Sequence, residues 1–378
     1  MREEQRMILR MLEEGKITAE EAEALLKALG DGLKSSESES EPQEDPWVRL
    51  EKMGEDFASK VEVATERFSR SLEQNVGDKL SKLPKILARF PFFGYEESQE
   101  FQSVVRGQVG PGEVIPIGFS NANGSIRVEG WSEDDYQLTV VQRLRGSDRE
   151  LLSTRLFDVG WMDGAERTDF RLTVPSLGDV SISLHLMVPE DRMYEVEMLS
   201  QNGSLRVENI KGTNLKLDTV NGSTYLHSVK AHNIRGEGGN GSCEMKDVEA
   251  KVICHTLGNG SYRVSVSAGD VDLLTTNGSV NVRVSNVQGV SSYRLRTTNG
   301  AIKASLPQEA DLGLALDLLT SVGRISTEVN ALEISRQERQ GGGSVLTAHS
   351  VDYSGKTDKL DLEASSTSGS IVVSTREN

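Results

Sequence analysis

A short motif, Asn-Gly-Ser, recurs along this sequence at a nearly fixed spacing. From the second occurrence onward, successive motifs begin 19, 19, 19, 18 and 22 residues apart, and the seventh motif ends in alanine. A short fixed period indicates a repeat fold, in which each unit stacks on the next. The motifs begin at Asn123, Asn202, Asn221, Asn240, Asn259, Asn277 and Asn299.

The residues after each motif alternate as in a β-strand with one buried face. The fifth residue after each asparagine is apolar, and the residue before it is polar in most repeats. Because one such coil cannot bury its apolar face alone, we predict a mainly β fold over residues 96–378, a single-stranded parallel β-solenoid with coils of ~19 residues. The inward positions are Val207, Leu226, Met245, Val264, Val282 and Ala304.

The Asn-Gly pairs themselves are predicted to form a structural ladder at one corner of the stack. Glycine supplies the positive φ that a tight corner often needs, and stacked asparagine amides can hydrogen-bond along the axis. This structural role accounts for the repeated asparagine and glycine without a catalytic or ligand-binding role. The predicted ladder contains Asn202, Gly203, Asn221, Gly222, Asn240, Gly241, Asn259, Gly260, Asn277, Gly278, Asn299 and Gly300.

Three segments precede the repeats. Residues 1–30 are predicted to form an α-helical hairpin, because Thr18 lies three residues before Glu21 in a capping-box pattern. Residues 31–46 form an acidic Ser/Glu/Pro segment, which predicts a disordered linker. Residues 47–94 are predicted to form a long amphipathic helix, since apolar residues recur every eleven positions.

The end of that helix combines basic and aromatic side chains, which is typical of a segment at a membrane interface. The alternative is that the same apolar stripe packs on the first coil or on another chain. The residues that would contact an anionic membrane are Lys79, Lys82, Lys85, Arg89, Phe90, Phe92 and Phe93.

Charge and cysteine content limit the partners and the compartment. The net charge of −16 argues against a nucleic-acid partner. Cys243 and Cys254 are predicted to point to different sides of their strands, so a disulfide is not expected. With no leader-like apolar run near the start, we expect a cytoplasmic protein, at most peripheral to a membrane.

Several motifs resemble catalytic or ligand sites, but their context in the sequence does not favour that chemistry. The Gly236-x-Gly238-x-x-Gly241 spacing matches a dinucleotide-binding loop, but it lies in register with the repeat and precedes another strand. The five histidines do not follow the repeat, and no cluster has metal-ligand spacing. The Asn-Gly-Ser triplets are also formal glycosylation acceptors, but each has a turn role. We therefore expect no catalytic residues, no cofactor and no metal.

Two stretches resemble known families. Residues 124–131 (GSIRVEGW), the Val188-Pro189 strand end and the serial Asn-Gly-Ser motif resemble the DUF4097 adhesin-like β-solenoid family. Residues 8–22 (ILRMLEEGKITAEEA) resemble the SHOCT-like hairpin of YvlB-type and LiaX-type envelope-stress proteins of Gram-positive bacteria. The resemblance implies a non-enzymatic protein linked to envelope stress, or an adhesin-like binding surface.

The favoured hypothesis is a binding or scaffold protein, whose hairpin 1–30 or solenoid surface recruits a protein partner. The alternative is a peripheral membrane stress sensor that uses residues 79–93. An enzyme on a β-helix is the third hypothesis, and the apolar inward positions argue against it. A homo-oligomer remains open.

Overall fold

The computed structural model describes residues 98–376, apart from Ser147, Asp179, Glu309 and Ala310. The predicted hairpin 1–30, linker 31–46 and helix 47–94 lie outside the described residues. The described part is built from β-strands, with one short α-helix and one 3₁₀ turn, so the prediction of a mainly β fold is confirmed.

The first half of the described chain contains ten strands and the α-helix. In chain order the elements are β1 Ser98–Gln108, β2 Ile115–Asn123, β3 Ile126–Trp131, β4 Asp135–Arg145, α1 Arg149–Ser153, β5 Phe170–Val174, β6 Val180–Pro189, β7 Met193–Asn202, β8 Leu205–Glu208, β9 Lys211–Asn221 and β10 Thr224–His227.

In the second half, long and short strands continue to alternate. Strands β12 and β13 are exceptions, because each continues from a short-strand position into the next long-strand position without a break. Its elements are β11 Lys230–Asn240, β12 Cys243–Asn259, β13 Tyr262–Asn277, β14 Val280–Val284, β15 Val290–Asn299, β16 Ile302–Pro307, β17 Leu312–Val322, β18 Ile325–Glu328, β19 Leu332–Gln340, β20 Gly343–Ser350, the 3₁₀ turn Tyr353–Gly355, β21 Asp358–Ser368 and β22 Ile371–Arg376.

The strands form two walls, and a rung is one long strand, the Asn-Gly corner after it and the next short strand. The long-strand wall runs β5, β2, β7, β9, β11, residues 249–259 of β12, residues 267–277 of β13, β15, β21, β17, β20 and β19. The short-strand wall runs β1, β4, β6, β3, β8, β10, residues 243–246 of β12, residues 262–266 of β13, β14, β16, β22 and β18.

Inward side chains of both walls meet in one hydrophobic core. Along the short-strand wall the fifth residue after each asparagine pairs directly with its equivalent in the next rung. All of these side chains are buried, which removes an apolar face that a single rung would leave in water. The buried column contains Val207, Leu226, Met245, Val264 and Val282.

The pairing is not parallel throughout, which corrects the prediction of a uniformly parallel stack. At the first end, β4 pairs antiparallel with both β1 and β6. At the other end, β20 pairs antiparallel with both β17 and β19. Antiparallel strands need only a short connection, so these elements extend each wall without another full coil.

Rungs near both ends also depart from chain order. The rung β2–β3 lies between β5–β6 and β7–β8. The last rung, β21–β22, is inserted between β15–β16 and β17–β18, which follow one another in the sequence. The prediction of consecutive stacked coils is therefore wrong at these two places.

None of the helices among the described residues has the length and hydrophobicity that crossing a bilayer requires.

Candidate binding surfaces

The Asn-Gly corners carry a continuous ladder of side-chain amides. Each asparagine after Asn123 donates from Nδ2 to Oδ1 of the preceding asparagine in the stack, over distances of 2.7–3.0 Å. The six bonds run in one direction and lie at the exposed edge of the stack. The ladder joins Asn123, Asn202, Asn221, Asn240, Asn259, Asn277 and Asn299.

The glycines of these corners are required mainly for close packing, which corrects the conformational argument made from the sequence. Gly124, Gly241 and Gly278 have positive φ, whereas Gly222 does not. A Cβ added at Gly222 would instead lie 2.0 Å from the carbonyl oxygen of Gly203. The strained conformations occur at the opposite corner, where Asn209, Ser228 and Asp247 have φ of 53–55°.

A second ladder at the same corner was not predicted. Two residues before most of the corner motifs, a buried hydroxyl donates to the carbonyl oxygen of a corner glycine in a neighbouring rung, which satisfies a backbone acceptor. Gly238 and Leu257 break the series, Asn121 places an amide at this position, and the buried Ser200 hydroxyl has no partner among the described residues. The sequence signal was a recurring Thr or Ser at that position. The bonds join Thr219 to Gly203, Thr275 to Gly260, Thr297 to Gly278, Ser366 to Gly300 and Thr320 to Gly369.

Because the corners are saturated with internal bonds, the outer faces of the walls are the better candidates for binding. A groove of about 700 Å³ crosses the outer face of the long-strand wall, over β2, β5, β7, β9 and β11. Its exposed lining mixes both charges with small and apolar side chains. The lining includes Gly118, Ser120, Arg171, Thr173, Glu195, Glu197, Leu199, Lys216 and Arg235.

Ion pairs and hydrogen bonds fix part of this lining. Lys216 Nζ lies 2.9 Å from Glu197 Oε1 and 3.7 Å from Asp218 Oδ2. Burial lowers the pKa of Lys216, but Glu197 and Asp218 outweigh it and raise the pKa. Asn214 donates to Glu195 Oε1 over 3.3 Å. These contacts link side chains of neighbouring rungs along the groove.

Asp218, beside the groove, titrates near neutral pH. Burial raises the pKa of this carboxyl to about 6; Lys216 opposes the shift, and the charge of Glu237 adds to it. Asp218 Oδ1 also accepts a hydrogen bond of 3.0 Å from the backbone N–H of Glu237. The net charge next to the groove thus changes near pH 6.

The groove ends at β5, the last of the described strands at this end of the long-strand wall. β5 pairs in parallel with β2, and no other strand among the described residues pairs with it. Arg171 and Thr173 of this strand are exposed. An open edge presents backbone N–H and C=O groups that an extended segment of another protein can pair with.

Ligand chemistry of other kinds finds little support in the described part of the chain. Across residues 98–376, apart from the four omitted positions, no group of three or more His, Cys, Asp or Glu side chains is placed to hold a metal ion. Both cysteines are free, Cys243 buried and Cys254 exposed. The predicted membrane-contact residues Lys79, Lys82, Lys85, Arg89, Phe90, Phe92 and Phe93 lie outside the described residues.

Comparison with known proteins identifies the family. No curated protein matches the chain. A crystal structure of a candidate cell adhesion protein from Clostridium sporogenes matches at 13% sequence identity and a TM-score of 0.23, covering 74% of this chain and all of that one. A SHOCT-like domain family matches residues 3–34. The family described as Toastrack DUF4097 matches residues 116–351, more than half of the sequence, and this chain belongs to that family.

Proposed function

We propose that this protein is a non-catalytic binding and scaffold protein, whose groove on the long-strand wall holds an extended segment of a protein partner. The observation that carries the proposal is the groove itself, which has a volume of about 700 Å³ and a lining of mixed charge, and ends at β5, a strand that pairs with β2 alone among the described strands.

The chemistry of the groove suits a peptide better than an apolar small molecule. Exposed guanidinium groups of Arg171 and Arg235 can bind carboxylates, and Glu195 and Glu197 can accept from basic or amide groups. Gly118 has no side chain, which keeps the centre of the floor low. A Cβ added there would have Arg171 Cγ, at 3.5 Å, as its nearest neighbour. Pairing with β5 would add main-chain hydrogen bonds.

Site-specific photo-crosslinking tests the proposal. A benzoylphenylalanine placed at Ser120, inside the groove, should capture a partner that the same residue at Ser292 does not, although Ser292 also faces outward on this wall. The captured protein is then purified, and its affinity is measured for the full chain and for R171E/R235E. We expect at least about a tenfold loss, because two charged contacts reverse sign.

The matched control is K251E/R324E, which makes the same charge change at exposed positions outside the groove. Equal crosslinking at Ser120 and Ser292, or equal affinity of the groove variant and its control, would rule out the groove as the binding site.

The remaining features of the proposal rest on sequence. We propose a β-solenoid of ~19-residue coils over 96–378, preceded by the hairpin 1–30, the linker 31–46 and the helix 47–94. The SHOCT-like match over residues 3–34 supports the hairpin. A role in envelope stress is supported by the resemblance alone.

We also propose a cytoplasmic location, which the two free cysteines support. The alternative, a peripheral membrane sensor, rests on the basic and aromatic composition of residues 79–93.

A further inference from the structure

A cluster of basic side chains lies on the outer face of the short-strand wall, away from the groove. It supplies one cation from each of four consecutive rungs, and it borders a depression of about 430 Å³. All four side chains are exposed. We call this cluster the basic patch, and it consists of Lys246, Arg263, Arg283 and Lys303.

Most of the patch is not neutralised by neighbouring acids. Arg263 lies 3.6 Å from Glu244, but Lys246, Arg283 and Lys303 have no acidic group within 4.0 Å among the residues that the structure describes. By contrast, Lys216 lies 2.9 Å from Glu197 and Arg296 lies 2.6 Å from Asp272, so the charges of these two cations are compensated. Uncompensated positive charge on a chain of net charge −16 attracts anions locally.

The dimensions of the patch limit what can bind there. Three steps between rungs of about 4.8 Å each give about 14 Å, the span of four to five residues of extended peptide. Beyond the patch the same wall carries Glu328 on one side, where a long polyanion would meet like charge. On the other side it carries Glu208, which is already ion-paired with Arg127 and Arg206. A short acidic segment fits within these limits.

Acidic and neutral groups complete the surface. Glu244 and Asp247 also line the depression, so four cations stand against two carboxylates and the lining keeps an excess of positive charge. Ser265, Asn281 and Ser305 line the same depression and can hydrogen-bond to a peptide backbone, while the four cations bind its carboxylates. We propose that the basic patch is a second binding site, which takes an acidic peptide segment of another protein.

Fluorescence anisotropy of the full chain with a labelled probe tests this site. The probe is a peptide with five consecutive glutamates, and a matched peptide with five glutamines is its control. We expect salt-sensitive binding of the glutamate peptide alone. R283E/K303E should bind it at least about tenfold more weakly, because two attractive contacts become repulsive.

Two further variants distinguish binding at the patch from a general effect of net charge and from binding in the groove. K211E/K251E makes the same charge change at exposed positions of the long-strand wall and should bind within about twofold of the unmodified chain. R171E/R235E reports any share of the glutamate peptide that binds in the groove, and a loss in this variant as large as that of the patch variant would also overturn the proposal. The proposal is overturned if the glutamate peptide does not bind at low salt, or if K211E/K251E loses as much affinity as the patch variant. It is also overturned if phosphatidylglycerol vesicles or single-stranded DNA bind through the patch and the peptide does not.

Discussion

The hydroxyl of Tyr262, on the short-strand wall, and the ring of His255, on the long-strand wall, form a buried pair in the core between the two walls. Tyr262 Oη lies 2.7 Å from the carbonyl oxygen of His255 and 3.0 Å from its Nδ1. Because the single hydroxyl proton is directed at a carbonyl, Nδ1 must donate to Oη, which leaves Nε2 unprotonated. Nε2 is buried without a partner, in the space that Gly236 leaves by having no side chain.

This arrangement predicts a loss of stability in mild acid. Burial lowers the pKa of His255 to about 4, below its ordinary value of 6.5. The unfolded chain therefore takes up a proton between pH 6.5 and 4 that the folded chain refuses, so stability is complete above pH 6.5 and falls as the pH drops. We expect this histidine to cost about 2 kcal/mol at pH 5 relative to pH 7.5, measured by urea unfolding.

His255→Leu should remove that part of the pH dependence, because leucine does not titrate. The next two rungs on one side carry leucine at the equivalent position, Leu273 and Leu295, so the change suits the core. His232→Leu, at an exposed histidine, is the control and should leave the pH dependence unchanged. An unchanged pH dependence in His255→Leu would show that another group titrates.

Gly222→Ala should destabilise the stack severely. The new methyl group would meet the Gly203 carbonyl oxygen at 2.0 Å, and two rungs would have to separate to make room. We expect a loss of about 3 kcal/mol or more in the free energy of unfolding. The control is Gly355→Ala, where an added Cβ has no neighbour within 4 Å and the effect should be about 0.5 kcal/mol or less. Similar melting temperatures for both variants would contradict the close-packing argument.

Thr275→Val tests the ladder of buried hydroxyls. Thr275 Oγ1 donates to the Gly260 carbonyl oxygen over 2.8 Å, and valine has the same shape without the donor. The unsatisfied carbonyl should cost about 1–2 kcal/mol in chemical unfolding. Thr276→Val changes the adjacent, partly exposed threonine and should have a smaller effect. If both changes cost the same, the hydroxyl bond contributes nothing specific.

The central rungs could be predicted from the sequence because their spacing is nearly constant. A fixed offset from each asparagine places Met245 and Val264 in the core, and their burial follows from strand alternation. The order of the terminal rungs could not be predicted in this way. Strands β17 and β21 carry the same alternation of leucines, at Leu314 and Leu316 and at Leu360 and Leu362, so either strand could pair with β15.

The groove was beyond sequence analysis for a related reason. Arg171 and Lys216 line it together because β2–β3 separates rungs that are distant in the chain, and no local pattern reports that order. The hydroxyl ladder, in contrast, left a readable signal. Thr219, Thr275 and Thr297 each stand two residues before an Asn-Gly pair.

The inserted last rung should control the stability of that end of the stack. Leu362 is buried between its paired residues Tyr293 and Leu316, which belong to rungs that do not pair with each other. Leu362→Asp places an unpaired charge in the core and should displace β21–β22, since each unpaired buried charge costs several kcal/mol. Both flanking rungs then lose their ladder bonds at once, among them the 2.9 Å bond from Gly300 N to the Ser368 carbonyl.

Hydrogen exchange measured by mass spectrometry should therefore rise together in residues 290–307 and 312–328, while residues 202–245 stay protected. Glu363→Gln, an outward change on the same strand, serves as the control and should leave both regions protected. Exchange that rises in residues 312–328 alone would show that β15–β16 does not depend on the inserted rung.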